Sequence, residues 1–499
     1  MDPSYIFCSI IGYFTLLMIV AWYTTRNSSN DAYFLGNKQS PWYAVAFGMI
    51  ADSLSGVTFI SLPGTITTGK FGYMQIVIGY LLGYFIIARV LLPLYYRLNI
   101  TSIYSYLKGR FGPSSQKTGS FYFLISRIIG ASLRLYLAAG VFQYFLFDQY
   151  HIPFPLTVAA IIALMLIYTY QGGIKTLVWT DTIQSAFLLL GVVLSITAIM
   201  NQLNFGVVDT VVAIKESDYS QVFSWDIGKS SFFGWQFLTG AGIAVVMTGL
   251  DQNMMQKSLS CPNLKDAQKN IYWFSFVLLI VNLLFVSLGA LLYIYAETIG
   301  INLPVDKESG KLITDHVFPF LALNNLGLFT AIIFIFGLTA ATFSSADSVL
   351  TTLTTSFCID FLNIDESSEY SERRKTNTRH IVHISFAVVL FLTILICDLV
   401  PKDSVLDALF TAAAYSYGPL LGLFAFGLFT EMKVKDRLVP FISILSIVIC
   451  YVLRENSEAW FDYKFRWELL LINGCITFAG LIAISRKNLG ALDHEFIKP

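Results

Sequence analysis

The chain has 499 residues, of which 56% are hydrophobic and only 13% are charged, and its formal net charge is zero. Soluble domains carry about 25% charged residues, so this composition excludes an ordinary soluble protein. A balanced charge gives no sign of a nucleic-acid partner, and nothing in the sequence indicates an obligate protein partner.

The sequence divides into about thirteen apolar stretches, each near the roughly 20 residues that a membrane-spanning helix needs. We place them at residues 4–23, 41–66, 72–97, 117–148, 155–171, 177–202, 231–254, 270–298, 322–362, 379–400, 404–430, 437–454 and 467–485. The pattern predicts an all-α polytopic membrane protein surrounded by the lipid bilayer. We expect residues 1–499 to form a single transmembrane domain.

Lysine and arginine are unevenly distributed between alternate loops, with roughly twenty on one side and roughly nine on the other. The basic side includes Lys108, Arg110, Lys257, Lys265 and Arg373. The positive-inside rule makes that side cytoplasmic, so we expect the N-terminus outside and the C-terminus inside the cell (plasma or inner) membrane. The first residues lack the basic region of a signal peptide, so the first apolar stretch is expected to remain as a helix.

The second predicted span, 41–66, is interrupted at mid-depth by Asp52-Ser53 and Ser55-Gly56. Unwound backbone inside a membrane is tolerated where it is buried or lines a cavity, and its free carbonyls can then coordinate a cation. The pattern therefore predicts a broken helix, with a continuous but locally wet helix as the alternative.

Two later spans also carry charges. Arg127 and Arg134 lie on one face of the fourth span. Arg134 could clamp a solute carboxylate, or either arginine could neutralise a buried carboxylate such as Asp52. Asp181, near the start of the sixth span, is either functional or only a helix cap.

The seventh span, 231–254, contains Gly240, Gly242 and Gly249 and ends in a polar run that begins at Asp251. Two interrupted spans that lie five spans apart are what an inverted repeat of five helices predicts. The two halves of such a repeat would be residues 41–202 and 231–430, with the solute bound between them.

The ninth span contains the most informative stretch of the sequence, residues 341–348. On a helix, Ala341, Ser344, Ser345 and Ser348 share one face, and Asp347 lies one turn from Ser344. Hydroxyl and carboxylate oxygens along one stripe suit a small cation, and charged groups inside a membrane usually mark ion or solute pathways.

Sequence motifs for hydrolysis, metal catalysis or ATP binding are absent, so we expect no enzymatic activity. Work done by this protein would then draw on an ion gradient. A solute-binding membrane sensor without net transport is a second hypothesis, although only a short segment follows the last span.

The chain resembles the sodium:solute symporter family over nearly its whole length. Four blocks carry the resemblance, at residues 51–59, 172–184, 248–257 and 341–348. It implies a LeuT-type core of ten helices in two inverted halves, preceded by one helix and followed by two. It also implies that Na+ is the coupling ion, and the only metal ion required, and that a small-molecule solute is imported by alternating access.

The same resemblance implies a set of ligands. A sodium site would use the carbonyls of Ala51, Leu54 and Ala341 and the hydroxyls of Ser344 and Ser345. Some members have a second sodium site, and the matching residues here are Asp181, Ser344, Asp347 and Ser348. Asp347 stands where the sialic acid branch of the family has serine, which adds a negative charge.

For the solute, Ala244 and Met247 replace the sugar contacts of the galactose branch, so galactose-type sugars are disfavoured. Ser53, Ser55, Thr58 and Arg134 resemble the pocket of the sialic acid branch. We therefore expect a carboxylate-bearing solute. A proton-coupled symporter with Asp52 or Asp347 as the proton carrier is the alternative within the same fold.

Overall fold

The computed structural model describes residues 3–25, 36–306, 310–364, 371–400 and 405–486, and most of them are helical. The helices are α1 (Pro3–Thr25), α2 (Trp42–Ser53), α3 (Gly56–Gly64), α4 (Ile66–Leu98), α5 (Ser105–Arg110), α6 (Pro113–Phe142), α7 (Phe154–Leu203), α8 (Val207–Glu216), α9 (Phe233–Gly249), α10 (Gln252–Leu259), α11 (Leu264–Ile299), α12 (Thr314–Asn324), α13 (Leu328–Phe361), α14 (Glu372–Leu399), α15 (Val405–Phe429), α16 (Val439–Phe461) and α17 (Leu469–Ala483). The predicted all-α class is confirmed.

Within the described residues, 8 helices are long and apolar enough to cross a membrane, or up to 10 if each of two bent helix pairs forms one span. Three shorter apolar helices, Ile11–Thr24, Phe154–Ile167 and Leu469–Ala483, would have to cross as well to reach the predicted thirteen. The polytopic membrane architecture is confirmed, and the number of spans stays a prediction. The extreme ends of the chain lie outside the described residues.

Two predicted boundaries differ from the structure. The spans predicted at 155–171 and 177–202 are joined in α7, which is helical from Phe154 to Leu203. The span predicted at 322–362 is divided, because α12 ends at Asn324 and α13 begins at Leu328. Gly327 lies between them with φ +86, a backbone conformation that glycine adopts without a steric penalty.

Helix α13 forms the centre of the molecule and packs most extensively against α7. Every residue from Gly337 to Ser356 is buried, although more than half of them carry hydroxyl groups or a carboxylate. A helix that is buried all round and yet polar must satisfy its side chains internally, so its hydrogen bonds identify its neighbours.

Helices α4 and α9 approach closely through small residues. A Cβ atom built on Gly79 would lie 2.1 Å from the carbonyl oxygen of Phe237, and one on Gly83 would lie 2.5 Å from that of Ala241. Close packing of this kind is the usual reason for glycines four residues apart in a membrane helix. It brings α9 against one wall of the cavity described below.

A short antiparallel pair, β1 (Lys433–Val434) with β2 (Ser485–Arg486), joins the end of α15 to the end of α17. An isolated bridge between Val305 and Leu312 closes the connection that precedes α12. These are the β contacts of the described residues, and they lie outside the helical core.

Candidate functional site

Helices α2 and α3 form the broken span that the sequence predicts. Their axes differ by 54°, and Ser55 between them has a non-helical conformation (φ −18, ψ 173). Because the helical bonding stops here, no backbone N–H of the described residues donates to the carbonyls of Ala51 and Leu54. Both residues are buried, so their carbonyl oxygens are available to a desolvated cation.

Helices α9 and α10 form the second bent pair, with an angle of 64°. Asp251 lies in the break with an extended backbone, and its side chain accepts a hydrogen bond from the Met254 amide at 3.2 Å. This is an N-cap interaction that fixes the start of α10. The predicted interruption of the seventh span is therefore confirmed.

The hydroxyl groups of α13 fall into two classes. Most donate to a carbonyl one turn earlier in the same helix, as Thr342 does to Leu338 and Thr354 does to Leu350. Ser344 and Ser348 instead reach across to Asp181 of α7, at 3.1 and 3.4 Å. These two serines are therefore the hydroxyls of α13 that form the polar contact with α7 at Asp181.

The first predicted sodium site lies where α13 meets the α2–α3 break. Its five residues are all buried: Ala51, Leu54, Ala341, Ser344 and Ser345. The Ser345 hydroxyl contacts the carbonyls of Ala341 and Thr342, both at 3.2 Å. A Cβ atom on Gly56 would lie 3.3 Å from Thr342 Oγ1, so α13 packs directly against the start of α3 at the break. A set of neutral oxygens fits Na+, and its role as a ligand set stays a prediction.

The second predicted sodium site contains a fixed cation. Lys257 Nζ lies 2.6 Å from Asp181 Oδ2 and 2.9 Å from Ser348 Oγ, two of the four residues that predict this site. It also lies 3.0 Å from Asp52 Oδ2. Asp347 accepts a hydrogen bond from the Ser348 amide at 2.5 Å.

At this cluster the structure contradicts one expectation from the sequence and two of the alternatives that the sequence left open. Lys257 is not a cytoplasmic loop residue, because its side chain is only 1% exposed. Asp181 does not cap a helix, because it lies well inside α7. Asp52 is neutralised by Lys257 rather than by an arginine, and Asn253 Nδ2 also donates to it at 2.6 Å.

Arg127 has a buried partner of its own. Its Nε lies 2.5 Å from Asp251 Oδ2, and the Tyr417 hydroxyl donates to the same oxygen at 2.5 Å. The side chains of Arg127 and Asp251 are 6% and 0% exposed. This ion pair joins α6 to the break between α9 and α10, and the hydroxyl adds α15 to the junction.

Arg134 is buried without such a partner. Its Nε and Nη1 atoms have no hydrogen-bond partner, and no ion pair of the described residues includes it. It lines a cavity of about 680 Å³, measured with its open part, together with the other three predicted solute-binding residues, Ser53, Ser55 and Thr58. The structure thus brings all four around one space, and their role stays a prediction.

The remainder of this cavity is partly apolar. Ala244 and Met247, the residues that disfavour galactose, both line it. Asn282 also lines it, with its Oδ1 atom unpartnered and its Nδ2 bonded to the Leu278 carbonyl of its own helix. The cavity therefore offers a guanidinium, several hydroxyls and an amide oxygen beside an apolar wall.

Sequence reasoning missed the contacts of Lys257 and Asn253 with Asp52. A usable signal was present, because residues four apart on a helix share a face, and these two both reach Asp52 from α10. The sequence pattern places the lysine in a loop, because a helix as short as α10 is difficult to distinguish from the end of a span.

Comparison with known proteins identifies a family and similar relatives. The family model "Sodium:solute symporter family" matches residues 33–436. A sodium/sialic acid symporter of Proteus mirabilis is 25% identical over 475 residues, with 91% of this chain and 90% of the relative covered.

Two solved structures share the fold. One is a Na+-coupled sialic acid symporter in a substrate-bound, outward-open state, with a TM-score of 0.80, 22% identity, and 96% of this chain and 97% of that chain covered. The other is the nucleobase-cation-symport-1 family transporter Mhp1 in a closed conformation, with a TM-score of 0.56, 14% identity, and 92% and 95% covered. These likenesses confirm a LeuT-type fold.

Proposed function

The chain belongs to the sodium:solute symporter family, so it is a sodium-coupled membrane transporter, and from this premise we propose that its solute bears a carboxylate that Arg134 binds. The observation that carries the proposal is a guanidinium that is buried in the cavity wall with two unpartnered donor atoms. Buried donors without partners are unfavourable, so a group that accepts hydrogen bonds there gains binding energy. A carboxylate matches the planar fork of arginine better than a hydroxyl does.

The remainder of the cavity supports an acidic sugar of the sialic acid type. Ser53, Ser55 and Thr58 supply hydroxyls that can bond to a polyhydroxylated ring, and the Asn282 amide oxygen can accept from one of its hydroxyls. Ala244 and Met247 supply an apolar wall. The Proteus mirabilis relative, named as a sodium/sialic acid symporter, is consistent with this class of solute.

Coupling follows from the shared position of the two sites. Leu54 lines the solute cavity and also belongs to the predicted sodium set of Ala51, Leu54, Ala341, Ser344 and Ser345. A cation bound to the carbonyls of the break would fix the conformation of the neighbouring Ser53 and Ser55. Because linkage is reciprocal, the solute then raises the affinity for Na+ by the same factor.

Access to the cavity is from the side where α3 ends. A wider cavity of about 1270 Å³, again measured with its open part, is lined by residues such as Thr65, Lys70 and Gln75. It shares Tyr73 and Leu406 with the solute cavity. With the N-terminus outside and the C-terminus cytoplasmic, this is the external side, and the solute enters there and leaves inward. The halves 41–202 and 231–430 would move against each other around it.

A set of small organic acids that includes N-acetylneuraminate, each paired with its methyl ester, tests this proposal. Binding to the purified protein is measured in Na+ by thermal stabilisation, and Na+-driven uptake is measured in proteoliposomes. We expect an acid to bind and its ester to bind weakly, because the ester cannot form the charge-assisted bonds. Arg134→Met should weaken binding of the acid by about 10- to 100-fold and remove the discrimination.

The control is Arg134→Lys, which keeps the charge but not the two-pronged donor, and is expected to give intermediate affinity. Equal binding of acid and ester by the wild-type protein contradicts the carboxylate assignment. Unchanged acid binding by Arg134→Met contradicts the assignment of Arg134.

A further inference from the structure

Lys257 has an environment that resembles a cation-binding site. Its ammonium nitrogen contacts Asp181, Ser348 and Asp52 at distances of 2.6, 2.9 and 3.0 Å, and its side chain is 1% exposed. An ammonium group has three N–H donors, so these three acceptors satisfy it completely. Oxygen atoms from α2, α7 and α13 therefore surround a positive charge that is supplied by α10.

The same oxygens belong to the predicted second sodium site. Asp181 and Ser348 contact the ammonium directly, and Ser344 donates to the other oxygen of Asp181 at 3.1 Å. A sodium ion bound to these oxygens would lie within a few ångströms of Nζ. Two positive charges at that separation repel strongly inside a membrane protein, where the dielectric constant is low.

We propose that the ammonium of Lys257 takes the place of a second coupling cation, so that this transporter binds one Na+, at the site formed by the α2–α3 break and α13. The proposal rests on the sodium coupling and on the site assignment of the preceding section. The tethered ammonium offsets one of the two negative charges of Asp181 and Asp52, and it cannot leave for the cytoplasm. Solute accumulation is then limited to the first power of the Na+ gradient.

The experiment is a direct count of bound 22Na+ per purified protein at saturation, in detergent and without solute. We expect one ion for the wild type and two for Lys257→Met, because the neutral side chain leaves Asp181, Ser344 and Ser348 open to a second ion. Lys257→Arg keeps the positive charge and should bind one ion. Lys265→Met, at an exposed lysine after α10, is the matched control and should also bind one.

A second variant protects the test against misfolding. Lys257→Met alone leaves two buried carboxylates uncompensated, whereas Lys257→Met with Asp52→Asn restores the net charge of the three side chains to its wild-type value. This double variant should also bind two ions, and addition of Asp181→Asn should return the count to one. Ser345→Ala should weaken binding of the single remaining Na+, which would assign that ion to the site formed by the α2–α3 break and α13.

Two results would overturn the proposal. One is a wild-type protein that already binds two Na+, because the lysine then excludes nothing. The other is a double variant that binds only one ion, because removal of the ammonium then opens no site. The count of bound Na+ is made without solute, so it does not depend on whether the solute bears a carboxylate. A failure of the carboxylate assignment would therefore be recognised separately, in the solute-binding experiment.

Discussion

Arg127 and Arg134 lie seven residues apart on α6, are equally buried, and have opposite surroundings. Arg127 is held by Asp251, which also accepts from Tyr417 and caps α10. Arg134 faces the cavity with unpartnered nitrogen atoms. A buried charge with a built-in partner holds helices together, whereas an unpartnered one, such as Arg134, is the kind of group that our proposal assigns to a ligand.

The largest effect on stability is expected when Arg127→Met is compared with Arg134→Met. Removal of Arg127 leaves the Asp251 carboxylate buried without its cation, and we expect a loss of about 3–5 kcal/mol in stability. Removal of Arg134 deletes an unpaired charge, so we expect little loss or a gain. The measurement is thermal unfolding of both purified variants without solute.

A double variant sharpens this comparison. Arg127→Met with Asp251→Asn removes both charges of the pair and should recover part of the lost stability, because no buried carboxylate remains unpaired. If Arg134→Met destabilises the protein as much as Arg127→Met does, Arg134 is structural and the contrast fails.

A smaller effect is expected from Tyr417→Phe. The hydroxyl donates to the carboxylate of Asp251 at 2.5 Å, and hydrogen bonds to charged groups contribute about 1.5–3 kcal/mol. The loss should remain below that of Arg127→Met, because the guanidinium still neutralises Asp251. Thermal unfolding is compared with that of Tyr451→Phe, an exposed tyrosine of α16. Equal stability of the two tyrosine variants would show that the hydroxyl adds nothing to the ion pair.

The smallest effect is predicted at Asn282, an uncharged residue that, like Arg134, lines the cavity with an unpartnered polar atom. Its Oδ1 atom has no hydrogen-bond partner and its side chain lines the cavity, and Asn282→Leu removes this acceptor while keeping the number and branching of side-chain heavy atoms. Solute affinity should fall by about 2- to 10-fold, the range for a neutral hydrogen bond, while stability is preserved. Competition binding measures the affinity. A loss of stability without a loss of affinity would show that Asn282 has a structural role, as Arg127 does, and does not bind the solute.

Local properties of the sequence were sufficient for much of this description. The apolar stretches predicted the spans, and the polar interruption at Asp52 and the glycines before Asp251 predicted the two breaks that the structure contains. The stripe of Ala341, Ser344, Ser345 and Ser348 was likewise visible, because helical periodicity places such residues on one face. Each of these features depends on residues within a few turns of one another.

The pairing of charges was decided only by the tertiary structure. Arg127 and Asp251 are 124 residues apart, and Lys257 and Asp52 are 205 residues apart. The sequence showed that Asp52, Asp181, Arg127 and Arg134 needed partners, since charges inside a membrane are costly, but several pairings satisfied that requirement equally well. The packing of α10 between α2, α7 and α13 selected Lys257 for the two aspartates, and Arg134 has no ion-pair partner among the described residues.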